Sequence, residues 1–498
     1  MKHFHQPGEA AVWLKAQVRG TLQTNSRKIR PGDGFIAWPG AATDSRQFVK
    51  QVLLNGAAAC LVESEGVEAY PFEDSQIAAY TALKADAALI AADYFDHPSH
   101  RMEIVAVTGT NGKTSTTWWL AQAMGKAARK CGLVGTLGIG EPGSMVFNGL
   151  TTPDPVLLQQ QLRAFADAGF GACAIEASSI GIAEHRLNGT RVAVAVLTNF
   201  THDHLDYHSS MDAYWQAKKS LFFWTGLKAA VLNLDDEKGR LLASELNPAE
   251  LDVWTFAVNG HARLSAQNIK FCGSATDFDV VEGTETCKIS IQSVGLFNVA
   301  NLLAVLATLR ALGVSLEAAT QACCDLMPVP GRLEPIAVDA MPLVFVDYAH
   351  TPDALEKALS ALVDVTTQRQ GRLWCLFGCG GDRDAAKRPL MGTVAQKYAH
   401  EIVVTTDNPR GEDPSSIIQQ ILAGATRATG VHVVVDRNVA ISMAISKASP
   451  RDVVLIAGKG HENYQEVMGV RTPFSDQDHV LNALRQRSGN LTLGLDQS

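Results

Sequence analysis

Residues 107–116, VTGTNGKTST, put two glycines, a lysine and several hydroxyls into one short loop, between an apolar run (104–107) and an amphipathic stretch. Glycines let backbone N–H groups close around phosphate oxygens, and a helix N-terminus adds partial positive charge. Lys113 adds a full charge, and the Thr114 hydroxyl suits a hard cation such as Mg²⁺. The general phosphate-loop pattern has glycine where this chain has Val107, so the loop is a variant form. Three other segments carry charged or metal-binding types. IEASSIGIAEHRL (175–187) sets Glu176 at the tip of an apolar run, where open α/β sheets place ligands. A buried acid there needs a cation or donor, so a Mg²⁺ ligand and a satisfied structural carboxylate are both open readings. TNFTHDHLDYH (198–208) holds His202, His204 and His208 at a spacing that matches no standard zinc site. One histidine or aspartate reaching a nucleotide's metal fits better. TTDNPRGEDP (405–414) follows the apolar run 402–404. In it Arg410 either pairs with Glu412 or Asp413 on the surface or awaits an anion, since a guanidinium grips a carboxylate with two parallel hydrogen bonds.

These loops need strands to carry them. The chain has 498 residues, 46% hydrophobic and 19% charged, enough for about three domains at roughly 150 residues each. Residues 1–98 mix short strands and turns. From 99 a strand–loop–helix pattern repeats through IVAVTGTNGKTST, ACAIEASSIGI, VAVAVLTNF and AAVLNLDD. Such alternation implies a parallel sheet covered on both faces. MPVPGRLEP (327–335) interrupts it with three prolines and a glycine, and a second α/β series follows in LVFVDYAHTPD, LWCLFGCGG, EIVVTTDNPR, VHVVVD and DVVLIAGKGHE. The expected domains are therefore 1–98, 99–330 and 331–498. A net charge of −8 argues against a nucleic-acid partner. No apolar run approaches the ~20 residues that span a bilayer. The N-terminal MKHFHQPGEA lacks an apolar signal core, and the nine cysteines form no C-x-x-C pair. A reduced, cytoplasmic chain is the expectation.

TGTNGKTST, EASS, TNFTHDHLDYH, FNVANLLAV, PGRLE, DYAHTPD, GCGGDRDAAKRPLMG, DNPRGEDP and GKGHE occur in the order seen in the Mur ligases, which this chain resembles from about residue 22 to 480. The resemblance implies a small α/β N-terminal domain for a UDP-sugar, a central P-loop-type ATPase domain with a mainly parallel sheet, and a Rossmann-like C-terminal domain for an amino acid. It also implies an ATP-dependent ligase of peptidoglycan precursor synthesis that uses Mg²⁺ and works as a monomer on small-molecule substrates. The DNPR form resembles the branch that joins meso-2,6-diaminopimelate to UDP-N-acetylmuramoyl-L-alanyl-D-glutamate.

The resemblance assigns residues as well. ATP would take Gly109, Thr110, Asn111, Gly112, Lys113, Thr114 and Ser115, with Asn298 and Asn301 toward the adenine. Arg332 and Asp347 would reach the nucleotide only on domain closure. Mg²⁺ would be held through Thr114, Glu176, His204 and Lys218, the last as N6-carboxylysine. Alignment to AK-x-x-LF selects Lys218 over Lys219. The UDP-substrate would meet Thr24, Ser26, Ala41, Ala42, Thr43, Thr151, Thr152, Ser178, Glu184 and Arg186. Diaminopimelate would meet Arg383, Asp407, Asn408, Pro409, Arg410, Gly458 and Glu462. Ile180 and Glu184 depart from the histidine and glutamine common at those positions. Alternatives to this function are another ligase of the superfamily, such as folylpolyglutamate synthetase, and a P-loop switch or transport ATPase that makes no bond.

Overall fold

The computed structural model describes residues 1–40, 43–205, 207–427 and 429–495. They form two compact units, one of residues 1–265, 282–285 and 300–322, the other of residues 266–281, 286–299 and 323–498.

The first unit holds two parallel arrangements. Near the N-terminus, strands Lys2–Phe4, Ile77–Tyr80, Ala59–Glu63, Gly34–Ala37 and Leu22–Gln23 lie side by side in that order, every pair parallel. Side chains alternate across a strand. Ile36, Leu61, Ala78 and Tyr80 accordingly meet helices Pro7–Gln17 and Leu83–Tyr94, and Phe35, Cys60, Val62 and Ala79 meet Val49 and Val52 of the opposite helix. The larger sheet centres on Glu103–Thr108, flanked in parallel by Ala172–Glu176 and Val192–Leu197. Cys131–Gly135 lies beyond the first; Ala229–Asn233 and Asp252–Ala257 lie beyond the second. The chain leaves Glu103–Thr108 toward one side and later returns to the other. The crevice at this strand's C-terminal tip is thus a topological switch point, and the GTNGKT loop sits there.

The second unit carries a six-stranded sheet in the order Glu334–Ile336, Leu343–Asp347, Val453–Ala457, Leu373–Phe377, Glu401–Val404 and Val431–Val433; only the first pairing is antiparallel. Phe345, Cys375 and Leu455 face Leu355, Met391 and Ile417 on one side, while Val344, Trp374 and Ile456 face Ile441, Ala444 and Val480 on the other. The strands read as nearly unbroken apolar runs because both faces are covered. Four of their C-terminal tips, after Asp347, Phe377, Val404 and Ala457, open at the same edge.

A buried ion pair ties two of those tips together. Arg437 and Asp476 are both 0% exposed and share two hydrogen bonds of 2.7 Å, while Arg437 also donates to Thr406 O (3.2 Å) and Ala457 O (2.9 Å). Asp476→Ala leaves a guanidinium buried with no counter-charge, which costs about 3–5 kcal/mol. Urea unfolding of the second unit should lose that much. A loss under about 1 kcal/mol would show that the backbone carbonyls alone satisfy Arg437.

Candidate active site

The phosphate loop is clamped from behind. Gly112 takes a left-handed conformation (φ 85°) at the start of helix Lys113–Lys126, and a Cβ there would overlap Asn301 Oδ1. Glycine is required on both counts. The segment after Val192–Leu197 grips the loop. The Thr198 hydroxyl and Asn199 Nδ2 donate to Asn111 O (2.6 and 3.0 Å), and Asn111 N donates to Asn199 Oδ1 (2.9 Å). The Thr110 hydroxyl bonds Thr201 O and lies 3.1 Å from the Tyr214 hydroxyl. Ser115 is buried on the helix's first turn. Lys113 Nζ donates to Gly109 O and Thr110 O, both at 2.9 Å. Lys218 Nζ reaches the same Gly109 carbonyl (2.8 Å), so two lysines far apart in sequence converge on one oxygen. Lys218 is 1% exposed and lies over the Tyr214 ring. Burial, then the nearby Lys113 charge, pushes its amine well below the usual lysine range.

Glu176 stands beside this loop at 0% exposure. Its carboxylate accepts from the Thr114 hydroxyl (3.0 Å), Thr136 N (2.8 Å) and the Thr136 hydroxyl (3.1 Å). The network continues outward. The Thr136 and Thr151 hydroxyls are 3.0 Å apart, Thr152 donates to Glu176 O (2.6 Å) and meets the Ser178 hydroxyl (3.0 Å), and Arg186 donates to Thr152 O (2.8 Å). Thr151, Thr152, Ser178 and Arg186 are thus one contiguous cluster with the phosphate-loop threonine. Glu184 is held at its rim by Lys84 (2.7 Å) and the Tyr207 hydroxyl (2.5 Å). His204, in a left-handed conformation (φ 53°), lies beside Asp203 and the Tyr214 ring. Its neighbour His208 turns inward to the Ser179 hydroxyl (3.0 Å). Among the described residues, no three or more His, Cys, Asp or Glu side chains gather as a metal-ligand group. Thr24 and Ser26 are half-buried around the turn capped by Asn25, and Thr43 is exposed. No hydrogen bond among the described residues joins them to the threonine cluster. Ala41 and Ala42 lie outside the described residues.

In the second unit, Asp407, Asn408 and Pro409 are buried after strand Glu401–Val404, and Arg410 is half-buried with a left-handed backbone (φ 50°). The loop is pinned by Arg410 N to Glu466 O (3.0 Å) and Met468 N to Arg410 O (2.7 Å). Arg410 Nη1 donates to Gly381 O (2.8 Å). The surface pairing open to it from sequence does not form. Glu412 is taken by Arg388 through two 2.8 Å bonds that hold its carboxyl down to about 2, and Asp413 caps helix Pro414–Leu422. Among the described residues no carboxylate lies within ion-pair distance of Arg410. Glu462 accepts from Asn408 Nδ2 (2.8 Å) and from Lys459 Nζ (3.3 Å). Gly458 (φ 113°) lies against Asp407. Arg383 is exposed on the neighbouring loop. Nearby, Asp347 accepts from Leu333 N (2.6 Å) and Ala349 N (2.7 Å), and burial raises its carboxyl. Arg332 stacks on Tyr348, 4.5 Å from the ring centre. Asn298 is engaged internally, donating to the Ser293 hydroxyl (2.7 Å) and Val294 O (2.9 Å).

Residues 107–309 match the family model of the Mur ligase middle domain, and residues 331–460 match that of the Mur ligase, glutamate ligase domain. The chain belongs to the Mur ligases. It is an ATP-dependent ligase that forms amide bonds between small molecules. Among its relatives is the UDP-N-acetylmuramoyl-L-alanyl-D-glutamate--2,6-diaminopimelate ligase of Acidovorax sp. (strain JS42), 57% identical over 97% of both chains. The protein of the same name from Janthinobacterium sp. (strain Marseille) is 44% identical over 95% of this chain and 96% of that one. A solved structure of that name has 34% identity and a TM-score of 0.67, covering 94% of this chain and 95% of its own. The Thermotoga maritima MurF ligase in complex with ADP shares the fold at 18% identity, with TM-score 0.64 and coverage of 94% and 97%. The three-domain α/β architecture expected of a Mur ligase is borne out. No helix among the described residues is long and apolar enough to cross a membrane.

Several residues that hold these loops carry no motif of their own in the sequence. Thr136 sits in an unremarkable turn after Cys131–Gly135 and meets Glu176 from 40 positions away. Thr198 and Asn199 stood in the histidine-rich segment but serve as the clamp on the phosphate loop. Lys459 and Arg388 stand out in the sequence only as members of GKGHE and GCGGDRDAAKRPLMG. Their buried state was the missing signal, and apolar flanks alone do not betray it.

Proposed function

We propose that this Mur ligase adds meso-2,6-diaminopimelate to the D-glutamate of UDP-N-acetylmuramoyl-L-alanyl-D-glutamate, acting as a monomer in the cytoplasm. The observation that carries the reading is the Arg410 guanidinium, which among the described residues has no carboxylate within ion-pair distance and lies on a pinned loop with Asn408, whose amide faces Glu462 on the neighbouring loop. Diaminopimelate differs from lysine by a distal carboxylate, which a guanidinium fork would take. The relatives' names point the same way. The domains proposed are 1–98 for the UDP-sugar, 99–330 for ATP and 331–498 for the amino acid.

A carboxylate is a poor acyl donor to an amine, so the γ-phosphoryl group of ATP passes to it first. The resulting acyl phosphate is attacked by the free amine, and the tetrahedral intermediate expels phosphate as the amide forms. This chain's task is to position two anions and spread their charge. Lys113 and the N–H groups of residues 109–115 take the phosphates. Asn298, Asn301, Arg332 and Asp347 are assigned to the rest of the nucleotide, and Thr24, Ser26, Ala41, Ala42, Thr43, Thr151, Thr152, Ser178, Glu184 and Arg186 to the UDP-substrate. Arg383, Asp407, Asn408, Pro409, Arg410, Gly458 and Glu462 are assigned to the amino acid. A hard cation fits the oxygen donors of Thr114 and Glu176, 3.0 Å apart. With them, His204 and Lys218 as its carbamate would hold Mg²⁺, which neutralises phosphate charge when bound.

Carbamylation needs an uncharged amine, because the nitrogen lone pair attacks CO₂ and a proton is released. The burial of Lys218 favours that form, whereas Lys219 faces outward to Glu245 (2.5 Å). Lys218→Ala should therefore lose most activity and regain part of it in formate or acetate, whose oxygens replace the carbamate's. Lys219→Ala should stay near wild type. Rescue of Lys219→Ala instead would mean that the other lysine is modified.

The overall reading is tested by incubating the protein with UDP-N-acetylmuramoyl dipeptide, ATP, Mg²⁺ and either diaminopimelate or lysine, then weighing the product. A mass gain from lysine alone would overturn it. Phosphate release that needs no amino acid would leave only an ATPase.

A further inference from the structure

Lys459 is a buried amine at the centre of the amino-acid loops. Its side chain is 0% exposed, and Nζ lies 3.0 Å from Asn408 Oδ1, 3.3 Å from Glu462 Oε2 and 3.4 Å from Asp407 Oδ1. An ammonium has three donors and no acceptor, and three oxygens surround this one. Its contact with Asn408 has a directional consequence. Asn408 Oδ1 accepts from Lys459 and from Glu466 N (3.0 Å), so Nδ2 is left to face Glu462 (2.8 Å). The same Glu466 then accepts from Arg410 N (3.0 Å) through its carbonyl. One side chain thus fixes the amide of Asn408 and the carboxylate of Glu462, and through Glu466 it braces the backbone of Arg410.

We infer that Lys459 is a positioning residue for specificity: its charge keeps Glu462 a carboxylate and Asn408 in one orientation, so that the pocket presents a negative group to the distal ammonium of the incoming diamino acid. The inference rests on the amino-acid assignment proposed above and adds a residue to it. The electrostatics show why such a device is needed. Burial raises the Glu462 carboxyl above its usual range, and the neighbouring Asp407 pushes in the same direction; Lys459 is the largest influence opposing them. The other polar groups facing Glu462 are Tyr348, Tyr464 and the buried Arg437. Arg437 is already committed to Asp476 through two hydrogen bonds. Without Lys459, the Glu462 carboxyl would be pushed up further and hold its proton to a higher pH, weakening the counter-charge it offers an ammonium.

The test is the pH dependence of kcat/KM for diaminopimelate, with ATP and UDP-substrate saturating, in wild type, Lys459→Met, Lys459→Gln and Glu462→Gln. Removing an opposite charge at this distance moves a carboxyl by about one to three pH units. Both Lys459 variants should therefore show the acid limb moved up by at least about one unit, with kcat/KM falling below wild type as pH drops through it. The loss should fall on the KM for diaminopimelate, with the KM for ATP unchanged. Lys459→Gln keeps a donor for Asn408 and close to the native volume. A packing or hydrogen-bonding role would leave its pH limb where wild type has it, and that result overturns the inference. Glu462→Gln should abolish the limb, and an unchanged limb there overturns the inference even if neither Lys459 variant folds. If wild type turns over lysine but not diaminopimelate, the substrate assignment fails instead, which is a separate outcome.

Discussion

Lys113→Ala is expected to lower turnover at saturating ATP and Mg²⁺ by about a thousandfold or more. Preorganised charge at a transferring phosphoryl group is worth roughly 10²–10⁵ in rate, and Lys113 is the loop's own full positive charge. Its ammonium already points over the loop, bonded to Gly109 O and Thr110 O at 2.9 Å. A phosphate arriving at the helix N-terminus would exchange those carbonyls for its oxygens with little movement of the side chain. Lys218 cannot stand in, because it is buried behind Gly109 with its amine biased toward the uncharged form. The loop should survive the substitution, since its clamp is made by Thr198 and Asn199. Unchanged UDP-substrate binding would verify that the threonine cluster is intact. Turnover within tenfold of wild type would remove Lys113 from the chemistry.

The loops that carry function were legible because each follows an apolar run too short and too β-branched for a helix. Residues 104–107, 192–197 and 402–404 each became a buried strand with the expected segment at its C-terminal tip. Family motifs then supplied roles for those tips. What stayed hidden was the pairing between tips. The contact of Lys459 with Asp407 and Asn408 joins segments more than 50 positions apart, and that of Arg437 with Asp476 spans 39. A lone Lys or Arg in a sequence defaults to solvent. Only the fold shows that these two are fully enclosed and therefore committed to partners. Arg410 gives the reverse lesson. Its neighbours Glu412 and Asp413 looked like ion-pair partners by proximity, but the loop geometry gives one to Arg388 and the other to a helix cap.

That arrangement sharpens the expectation for Arg410→Ala, which should cut kcat/KM for diaminopimelate by about thirty- to several-thousand-fold. Removing one partner of a buried, hydrogen-bonded charge pair costs about 2–5 kcal/mol, at ~1.4 kcal/mol per decade. The affinities for ATP and the UDP-substrate should stay nearly unchanged, since among the described residues the hydrogen bonds of Arg410 go to Gly381 O, Glu466 O and Met468 N of its own unit. The backbone of residue 410 is left-handed (φ 50°), a conformation that disfavours any residue with a Cβ. Arginine already bears that strain, so the alanine and lysine variants differ from wild type in side chain alone. Arg410→Lys should recover little, because an ammonium cannot reproduce the planar fork. Lysine should remain a poor substrate for every variant: losing the guanidinium supplies no new contact for an amino acid that lacks the distal carboxylate. The measurement is kcat/KM for diaminopimelate and for lysine on wild type and both variants, with the other substrates saturating. A change below about threefold for Arg410→Ala, under ~0.7 kcal/mol, would return Arg410 to the surface and take away the observation on which the substrate assignment rests.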